Sequence, residues 1–148
     1  FGADVKVDSN SATIKKSNLK GITVNASDIP DLVPIICVVA SVASGVTTIT
    51  NAERLRIKES DRIKSVVNMI KNVGGDIKET ADGMIINGCA LKGGVVNSFN
   101  DHRIVMSAAV LSGVCENLVE IIDSQAVNKS YPMFFEDFKK LNGNVKEA

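Results

Sequence analysis

Hydrophobic and polar residues follow the same order twice along this chain. Each half begins with three short segments in which apolar and polar residues alternate or β-branched residues cluster. Bounded by Gly, Asn, Asp and Ser, such segments predict strands. A long apolar run, a β-branched segment and an amphipathic run then follow. The predicted strands are 4–7, 12–15, 22–25 and 47–50 in the first half and 76–79, 84–87, 95–98 and 118–122 in the second.

Four helices of two kinds are predicted between and after these strands. The runs 30–44 and 102–113 are apolar on nearly all sides, which predicts helices that are buried all round with strands wrapped about them. The runs 61–73 and 132–141 are amphipathic. In the first of these, the apolar stripe consists of Ile63, Val66, Val67 and Ile70. The predicted fold class is α/β (α+β), with mixed sheets and buried helices.

An internal repeat underlies the two halves, with units of approximately 2–73 and 74–141. Many residues 72 positions apart are identical, and the register holds over most of each unit. Examples are Gly2 and Gly74, Asp4 and Asp76, Lys6 and Lys78, and the tripeptide Leu19-Lys20-Gly21, which recurs as Leu91-Lys92-Gly93. Chance matches would not keep one register for so long, so we interpret the fold as repeated copies of one α/β unit.

Charged residues occupy equivalent positions near the start of the two buried helices. Asp28 and Asn100 are the predicted N-caps. Three residues later, the first copy has Asp31 and the second has Arg103. Both copies are therefore expected to direct a charged side chain from the same place in the fold.

A second equivalent pair is Lys58 and Lys129, each of which follows the last strand of its copy. Further charged or titratable residues lie beside these positions, namely Glu59, Asp61 and Arg62 in the first copy and Asp101 and His102 in the second. If residues 58–62 are helical, Lys58 and Arg62 share one face of that helix.

Cations mixed with carboxylates at helix starts suit anion chemistry. Helix N-termini present free N–H groups to a phosphate or carboxylate, while a nearby carboxylate can move protons. Plainer explanations exist for each part. Residues 58–62 fit a solvated helix start, Asp31 a carboxylate that complements the helix dipole, and Asp101 with His102 a capping pair. The coincidence at equivalent points of a repeat favours an anion site.

The amino-acid composition argues against a nucleic-acid-binding protein. The 148 residues carry 17 basic and 17 acidic side chains, so the basic excess typical of nucleic-acid binding is missing. Aromatic residues make up 4% and there is no Trp, which argues against base stacking and predicts an aliphatic core.

The cysteines and the apolar runs give further limits. Cys37, Cys89 and Cys115 lack a C-x-x-C pair and are predicted to be reduced core thiols, and with the single His102 they form no conventional zinc set. The longest apolar run, 32–43, is shorter than the roughly 20 residues of a membrane span. No signal peptide is recognised after Phe1, and we interpret the chain as part of a longer protein.

Four segments together resemble one enzyme family. Residues 55–62, Leu-Arg-Ile-Lys-Glu-Ser-Asp-Arg, resemble the L-R-x-K-E-[ST]-D-R signature of EPSP synthases, the 3-phosphoshikimate 1-carboxyvinyltransferases. Residues 100–106, Asn-Asp-His-Arg-Ile-Val-Met, are similar to the second signature of that family, D-H-R-[IM]-A-M. Residues 29–31 and 129–132 are similar to its I-P-D and K-[ST]-[FY]-P motifs. All four occur in the order found in the family.

The resemblance implies a two-domain enolpyruvyl transferase. Family members transfer the enolpyruvyl group of phosphoenolpyruvate to the 5-hydroxyl of shikimate 3-phosphate and release phosphate, with no metal or organic cofactor. This is a cytoplasmic step of the shikimate pathway to chorismate and the aromatic amino acids. Each domain is an inside-out α/β barrel-like assembly of βαβαββ units with buried helices. Residues 1–148 would be most of the C-terminal domain, and without the N-terminal domain they are expected to be folded but inactive.

The same motifs imply roles for individual residues. Asp31 would be the proton acceptor, Glu59 the proton donor to the enolpyruvyl methylene, and Lys58 a contact of shikimate 3-phosphate. The residues implied to hold phosphoenolpyruvate, or to lie beside it, are Arg62, Asp101, His102, Arg103 and Lys129. Arg54 departs from the pattern, because some members carry Asn at that position.

Two alternatives stay open at the level of sequence. An enolpyruvyl transferase acting on UDP-N-acetylglucosamine is similar in fold but lacks the paired signatures. In a non-catalytic repeat or interaction domain, the charges would merely solvate helix ends. Binding of shikimate 3-phosphate with phosphoenolpyruvate, of UDP-N-acetylglucosamine, or of neither distinguishes the three.

Overall fold

The computed structural model of the chain describes residues 1–146, which form eight strands, four α-helices and three short 3₁₀ turns. The strands are β1 (Asp4–Val7), β2 (Ala12–Lys15), β3 (Thr23–Asn25), β4 (Val46–Thr50), β5 (Asp76–Glu79), β6 (Met84–Asn87), β7 (Gly94–Asn97) and β8 (Val119–Ile122). The helices are α1 (Val33–Val42), α2 (Arg62–Asn72), α3 (His102–Ser112) and α4 (Phe134–Lys140), and the 3₁₀ turns are Pro30–Leu32, Glu53–Ile57 and Ser124–Lys129.

The strands form three separate sheets. In the largest sheet β3 and β4 pair in parallel, β6 pairs antiparallel with β4, and β5 pairs antiparallel with β6. The elements from β3 to β6 follow one another in the order βαβαββ. The other two sheets are the antiparallel hairpin β1–β2 and the parallel pair β7–β8. Within residues 1–146 no sheet closes into a barrel, so the expected barrel-like closure is not seen.

Neither predicted N-cap is used, and α1 begins three residues later than predicted. An N-cap residue normally has extended backbone, whereas Asn100 is left-handed with a φ of 56°. Asp101 takes its place, and its side chain accepts a hydrogen bond from the N–H of Arg103 at 3.0 Å. After Asp28 the chain passes through a 3₁₀ turn, and α1 starts at Val33 without a side-chain cap.

Helices α1 and α3 pack against each other and against α2 in the middle of the molecule. Both are buried on most sides but not on all. Cys37 of α1 and Ile104 of α3 are fully buried, whereas Val42 is 40% exposed and Val110 is 43% exposed. The prediction of burial all round is therefore wrong for one side of each helix, because the elements that pack on α1 and α3 within residues 1–146 leave Val42 and Val110 partly uncovered.

Helix α2 closes the core with its apolar stripe, as predicted. All four residues of the stripe are buried, namely Ile63, Val66, Val67 and Ile70.

The three cysteines are free thiols, and burial raises the pKa of the Cys37 thiol to about 12. None of the helices in the described part of the chain has the length and apolarity needed to cross a membrane.

The two hairpins differ in their surroundings, although they are equivalent in the repeat. Hairpin β5–β6 belongs to the four-stranded sheet and buries Met84 and Ile86 completely. Hairpin β1–β2 has no buried residue, and Val7 and Ile14 are 76% and 70% exposed. One copy of the hairpin thus lies in the core and the other on the surface.

Candidate functional site

The predicted site residues meet where the starts of α2 and α3 approach the turn that precedes α1. The 3₁₀ turn before α1 supplies Asp31, and the segment before α2 supplies Lys58 and Glu59. The remaining members of this charged cluster are Arg62 at the start of α2 and Asp101, His102 and Arg103 at the start of α3.

Arg62 lies at the centre of the cluster, with only 1% of its surface exposed. Its Nε donates a hydrogen bond to Oδ2 of Asp101 at 2.8 Å, its Nη1 donates to Oδ1 of Asp31 at 2.8 Å, and its Nη2 donates to Glu59. Burial alone would lower the pKa of Arg62, but the hydrogen bond and charge of Asp101 outweigh burial and raise that pKa above its ordinary value. Arg62 therefore stays charged and joins three carboxylates.

Three cations contact the carboxylate of Asp31. Lys58 Nζ is 3.5 Å and Arg62 Nη1 is 2.8 Å from Oδ1, and Arg103 Nη2 is 3.1 Å from Oδ2. Partial burial would raise the pKa of Asp31, but the charges of Arg103 and Lys58 and the hydrogen bond from Arg62 hold it below the usual 3.8. Asp31 is therefore ionised at neutral pH, and with 45% of its side chain exposed it is open to a ligand.

Glu59 lies between Arg62 and His102. Its Oε1 is 3.8 Å from Nδ1 of His102, which is longer than a hydrogen bond, and 41% of its side chain is exposed. Nδ1 of His102 and Nε of Arg103 are buried and have no hydrogen-bond partner among residues 1–146. Such buried unpaired groups are uncommon, and here they border carboxylates that face solvent.

Asp101 is the fully buried carboxylate of the cluster. It accepts hydrogen bonds from Ser60 Oγ at 3.0 Å, from the side chain of Arg62 and from the N–H of Arg103. Burial would raise the pKa of Asp101, but the hydrogen bond and charge of Arg62 hold it below its ordinary value. Ser60 is the site residue that the sequence interpretation missed, since no local spacing predicts a contact between residues 41 positions apart.

Lys58 and Arg62 do not share a helix face, because residues 58–61 are not helical. Lys58 has extended backbone with φ −90° and ψ −162°, and α2 begins only at Arg62 because the side chain of Asp61 caps it. The two cations meet at Asp31 through tertiary contacts instead.

Lys129 lies next to the charged cluster but outside its ion pairs. Its Nζ donates to the backbone carbonyl of Asn100 at 2.5 Å, and it makes no ion pair in the part of the chain that the structure describes. The structure thus brings seven of the eight predicted site residues into direct contact and leaves Lys129 exposed at the edge.

An open cleft of about 500 Å³ borders the cluster and is lined by residues 27–32, Arg54 and Lys58. Arg54 is exposed and has no carboxylate partner within the described residues. Across residues 1–146, no group of three or more His, Cys, Asp or Glu side chains is arranged to hold a metal ion. The arrangement can bind anions through its cations and exchange protons through Asp31 and Glu59.

A family model for EPSP synthase (3-phosphoshikimate 1-carboxyvinyltransferase) matches residues 1–138 of the chain. The chain belongs to the EPSP synthase family. This confirms the resemblance that the motifs at 55–62 and 100–106 indicated, and with it the membership of a transferase family.

Proteins named 3-phosphoshikimate 1-carboxyvinyltransferase are similar over nearly the whole chain. The relative from Clostridium novyi (strain NT) is 52% identical over 148 residues, which cover 99% of this chain and 34% of the relative. The relative from Clostridium acetobutylicum is 48% identical over 142 residues, covering 95% and 33%. The chain therefore spans about a third of the length of these EPSP synthase relatives.

Solved structures give the same family and fold. An EPSP synthase from Acinetobacter baumannii matches with a TM-score of 0.87 at 32% identity, over 94% of this chain and 36% of that one. The enolpyruvyl transferase NikO from Streptomyces tendae matches with a TM-score of 0.78 over 99% of this chain and 34% of that one. At 16% identity, this second likeness concerns the fold alone.

Proposed function

We propose that this chain supplies part of an active site that transfers the enolpyruvyl group of phosphoenolpyruvate to the 5-hydroxyl of shikimate 3-phosphate. The products are 5-enolpyruvylshikimate 3-phosphate and phosphate. The contact of Asp31 with Lys58, Arg62 and Arg103 carries the proposal, because an ionised, partly exposed carboxylate lies among cations beside an open cleft. Membership of the EPSP synthase family supports the same reaction.

In this proposal, Asp31 and Glu59 handle the protons. Asp31 accepts the proton of the 5-hydroxyl as its oxygen forms a bond to C2 of the enolpyruvyl group, and Glu59 donates a proton to C3. In the second stage the bond between C2 and the phosphate oxygen breaks, C3 loses a proton, and the double bond is restored. Both carboxylates are linked by Arg62 and both are more than 40% exposed, which supports their joint action.

The cations have different roles in this mechanism. Lys58 lines the cleft and would contact shikimate 3-phosphate, while Arg103 and Lys129 would hold the phosphate and carboxylate of phosphoenolpyruvate. His102 lies beside Glu59. Arg62 already donates to three carboxylates, so it would reach a substrate by exchanging a partner, for which the exposed Glu59 is suited.

We also propose the finer features of the fold. The residue matches 72 positions apart support repeated units of approximately 2–73 and 74–141. The order βαβαββ from β3 to β6 supports an inside-out, barrel-like C-terminal domain. The threefold greater length of the relatives supports an N-terminal domain as the partner that completes the site. The phosphorylated substrates of the shikimate pathway support a cytoplasmic location.

A chimera tests the proposed function with this chain's own residues. The chimera is the Clostridium novyi relative in which this chain replaces the matching third, at 52% identity. We expect it to release phosphate from shikimate 3-phosphate and phosphoenolpyruvate together, and from neither substrate alone. Turnover of UDP-N-acetylglucosamine instead would favour the related transferase. Binding of none of these compounds, measured by isothermal titration, would favour an interaction domain.

The 148-residue chain on its own is expected to be inactive. The cleft beside Asp31 is open, and Lys58 is the residue of the cluster's cations that lines it. Catalysis of this kind needs closure of the site and exclusion of water. A phosphate-release assay on the isolated chain with both substrates checks this, and measurable turnover would contradict it.

A further inference from the structure

Asp101 is implied by the resemblance to lie beside phosphoenolpyruvate, yet its side chain is completely buried. Every hydrogen bond that it accepts comes from the protein itself. Oδ2 accepts from Ser60 Oγ at 3.0 Å and from Arg62 Nε at 2.8 Å, and Oδ1 accepts from the N–H of Arg103 at 3.0 Å and from Arg62 Nη2 at 3.3 Å. A carboxylate offers about four lone-pair sites. Asp101 therefore has no acceptor left for a substrate.

The contacts of Asp101 join two segments that are distant in sequence. It caps α3, and at the same time it holds Arg62 through both Nε and Nη2. A guanidinium is planar, so a two-point contact on one edge fixes the plane of the whole group. The same plane carries the hydrogens that Arg62 donates to Asp31 and Glu59.

We propose that Asp101 is a positioning residue that acts through Arg62. It fixes the guanidinium plane and thereby holds the carboxylates of Asp31 and Glu59 in the relative position that proton transfer needs. The proposal rests on the proposed function, since it gives Asp101 a part in the same reaction.

Loss of the Asp101 charge has a defined consequence in this geometry. Arg62 would be left buried without the partner that holds two of its nitrogens, and a buried charge that has lost a partner is strongly destabilising. We expect the guanidinium to move as a result. Movement of Arg62 displaces Asp31 and Glu59, and a misplacement of about 1 Å at reacting groups lowers the rate by about 100-fold. Asp101 does not line the cleft, and Lys58 pairs with Asp31 rather than with Asp101, so the contact of Lys58 with shikimate 3-phosphate, and with it most of the binding, is expected to persist.

The chain contains a matched control for this substitution. Asp61 is also an N-cap aspartate, at the start of α2, and it also pairs with an arginine, Arg56, at 3.3 Å. Arg56 contacts Glu79 and backbone carbonyls and does not touch Asp31 or Glu59 in the described structure. Asp61→Asn removes this charge and its ion pair while the amide can still cap the helix, as in Asp101→Asn, and it leaves the three carboxylate partners of Arg62 in place.

The kinetic test compares Asp101→Asn and Asp61→Asn in the chimera. We expect Asp101→Asn to lower kcat by about 100-fold with the KM for shikimate 3-phosphate within about threefold, and Asp61→Asn to leave both within about threefold. Thermal denaturation of both variants corrects for unfolded protein. Equal losses of kcat in the two variants would show that the loss of any carboxylate charge at a helix start has this effect, and would overturn the proposal.

A second measurement does not depend on activity. In the ¹⁵N-labelled 148-residue chain and in the chimera, the Nε proton of Arg62 is expected to exchange with solvent at least about tenfold faster in Asp101→Asn than in Asp61→Asn. Unchanged exchange would also overturn the proposal. An unmodified chimera without turnover would instead refute the proposed function, while the exchange rate would still report whether Asp101 anchors Arg62.

Discussion

In the charged cluster, basic side chains contact acidic ones. Arg62 meets three carboxylates and Asp31 meets three cations, so each charge that is withdrawn from water is compensated by its neighbours. A chain with 17 basic and 17 acidic side chains can therefore concentrate several cations at one place without net charge. The pKa of Asp31 stays below its usual value, so the carboxylate is ionised at neutral pH.

Replacement of Asp31 by Asn in the chimera is expected to lower kcat by at least about 100-fold, because an amide cannot accept the hydroxyl proton. The two side chains have nearly the same shape, and 45% of Asp31 is exposed, so the protein should remain folded. Phosphate release measures the effect. Asp4→Asn, on the exposed hairpin, is the control and should keep full activity. Unchanged turnover in Asp31→Asn would remove Asp31 from the mechanism.

Acid is expected to weaken the fold through the same carboxylates. The folded-state pKa values of Asp31 and Asp101 lie below 3.8, so each binds fewer protons in the folded than in the unfolded chain. Their stabilisation is complete above about pH 4 and is lost as the pH falls through the folded-state pKa. Urea unfolding between about pH 5 and pH 2 should show a falling free energy of unfolding, with a smaller fall in Asp101→Asn. Equal falls would contradict this assignment.

Sequence motifs predicted that these charged residues lie near one another but not how they contact one another. Asp31, Lys58 and Arg103 were expected at a shared anion site, and the structure shows them in contact. The hydrogen bond from Ser60 to Asp101 was not expected, because it depends on the packing of α2 against α3. The helix face that Lys58 and Arg62 would share if residues 58–62 were helical does not form, because the cap at Asp61 starts the helix at Arg62.

Among the elements, the two equivalent hairpins are expected to contribute very differently to the stability of the fold. Ile86 of β6 is fully buried, and its equivalent Ile14 of β2 is 70% exposed. Ile86→Ala is expected to lower the free energy of unfolding by about 2–5 kcal/mol, since it removes buried methylenes and leaves a cavity. Ile14→Ala should change it by less than about 0.5 kcal/mol. Chemical denaturation checks the pair, and similar losses would mean that β1–β2 is packed in solution.

Strand ends were easier to predict than helix starts. The bounds of β1, β2, β5 and β6 agree with the alternation and the turn residues around them. Helix caps depend on backbone angles that residue type leaves open, so the left-handed Asn100 could not be distinguished from a cap. The exposed sides of α1 and α3 were also beyond prediction, because exposure depends on which neighbours are present.

Taken as a whole, the described part of the molecule has two strands with unpaired edges that are equivalent to a pair formed in the four-stranded sheet. In the four-stranded sheet, the hairpin strand β6 pairs with β4 so that Thr47 lies opposite Ile86. The equivalent edges, on β2 and β8, are unpaired within residues 1–146. If β2 paired with β8 as β6 pairs with β4, Ile14 would lie opposite Val119, because each of these residues is 72 positions from its equivalent in the Thr47–Ile86 pair. Unpaired edges with exposed apolar side chains are sites at which sheets extend.

The isolated 148-residue chain is therefore expected to associate with itself as its concentration rises, with β2 of one copy on β8 of the next. Sedimentation measurements over a range of concentrations should show a growing average mass. Ile14→Lys, a change at a 70% exposed position, should suppress association without loss of stability. Association that persists in Ile14→Lys would place the contact elsewhere.

Because the β2 and β8 edges differ, each copy would act both as donor and as acceptor of a hairpin. A contact of this kind between unlike surfaces does not close on itself unless the rotation happens to form a ring. The average size of the assembly would then depend on concentration, as in a linear polymer. A free peptide with the sequence of residues 1–18 would occupy the β8 edge of the last copy and stop further growth.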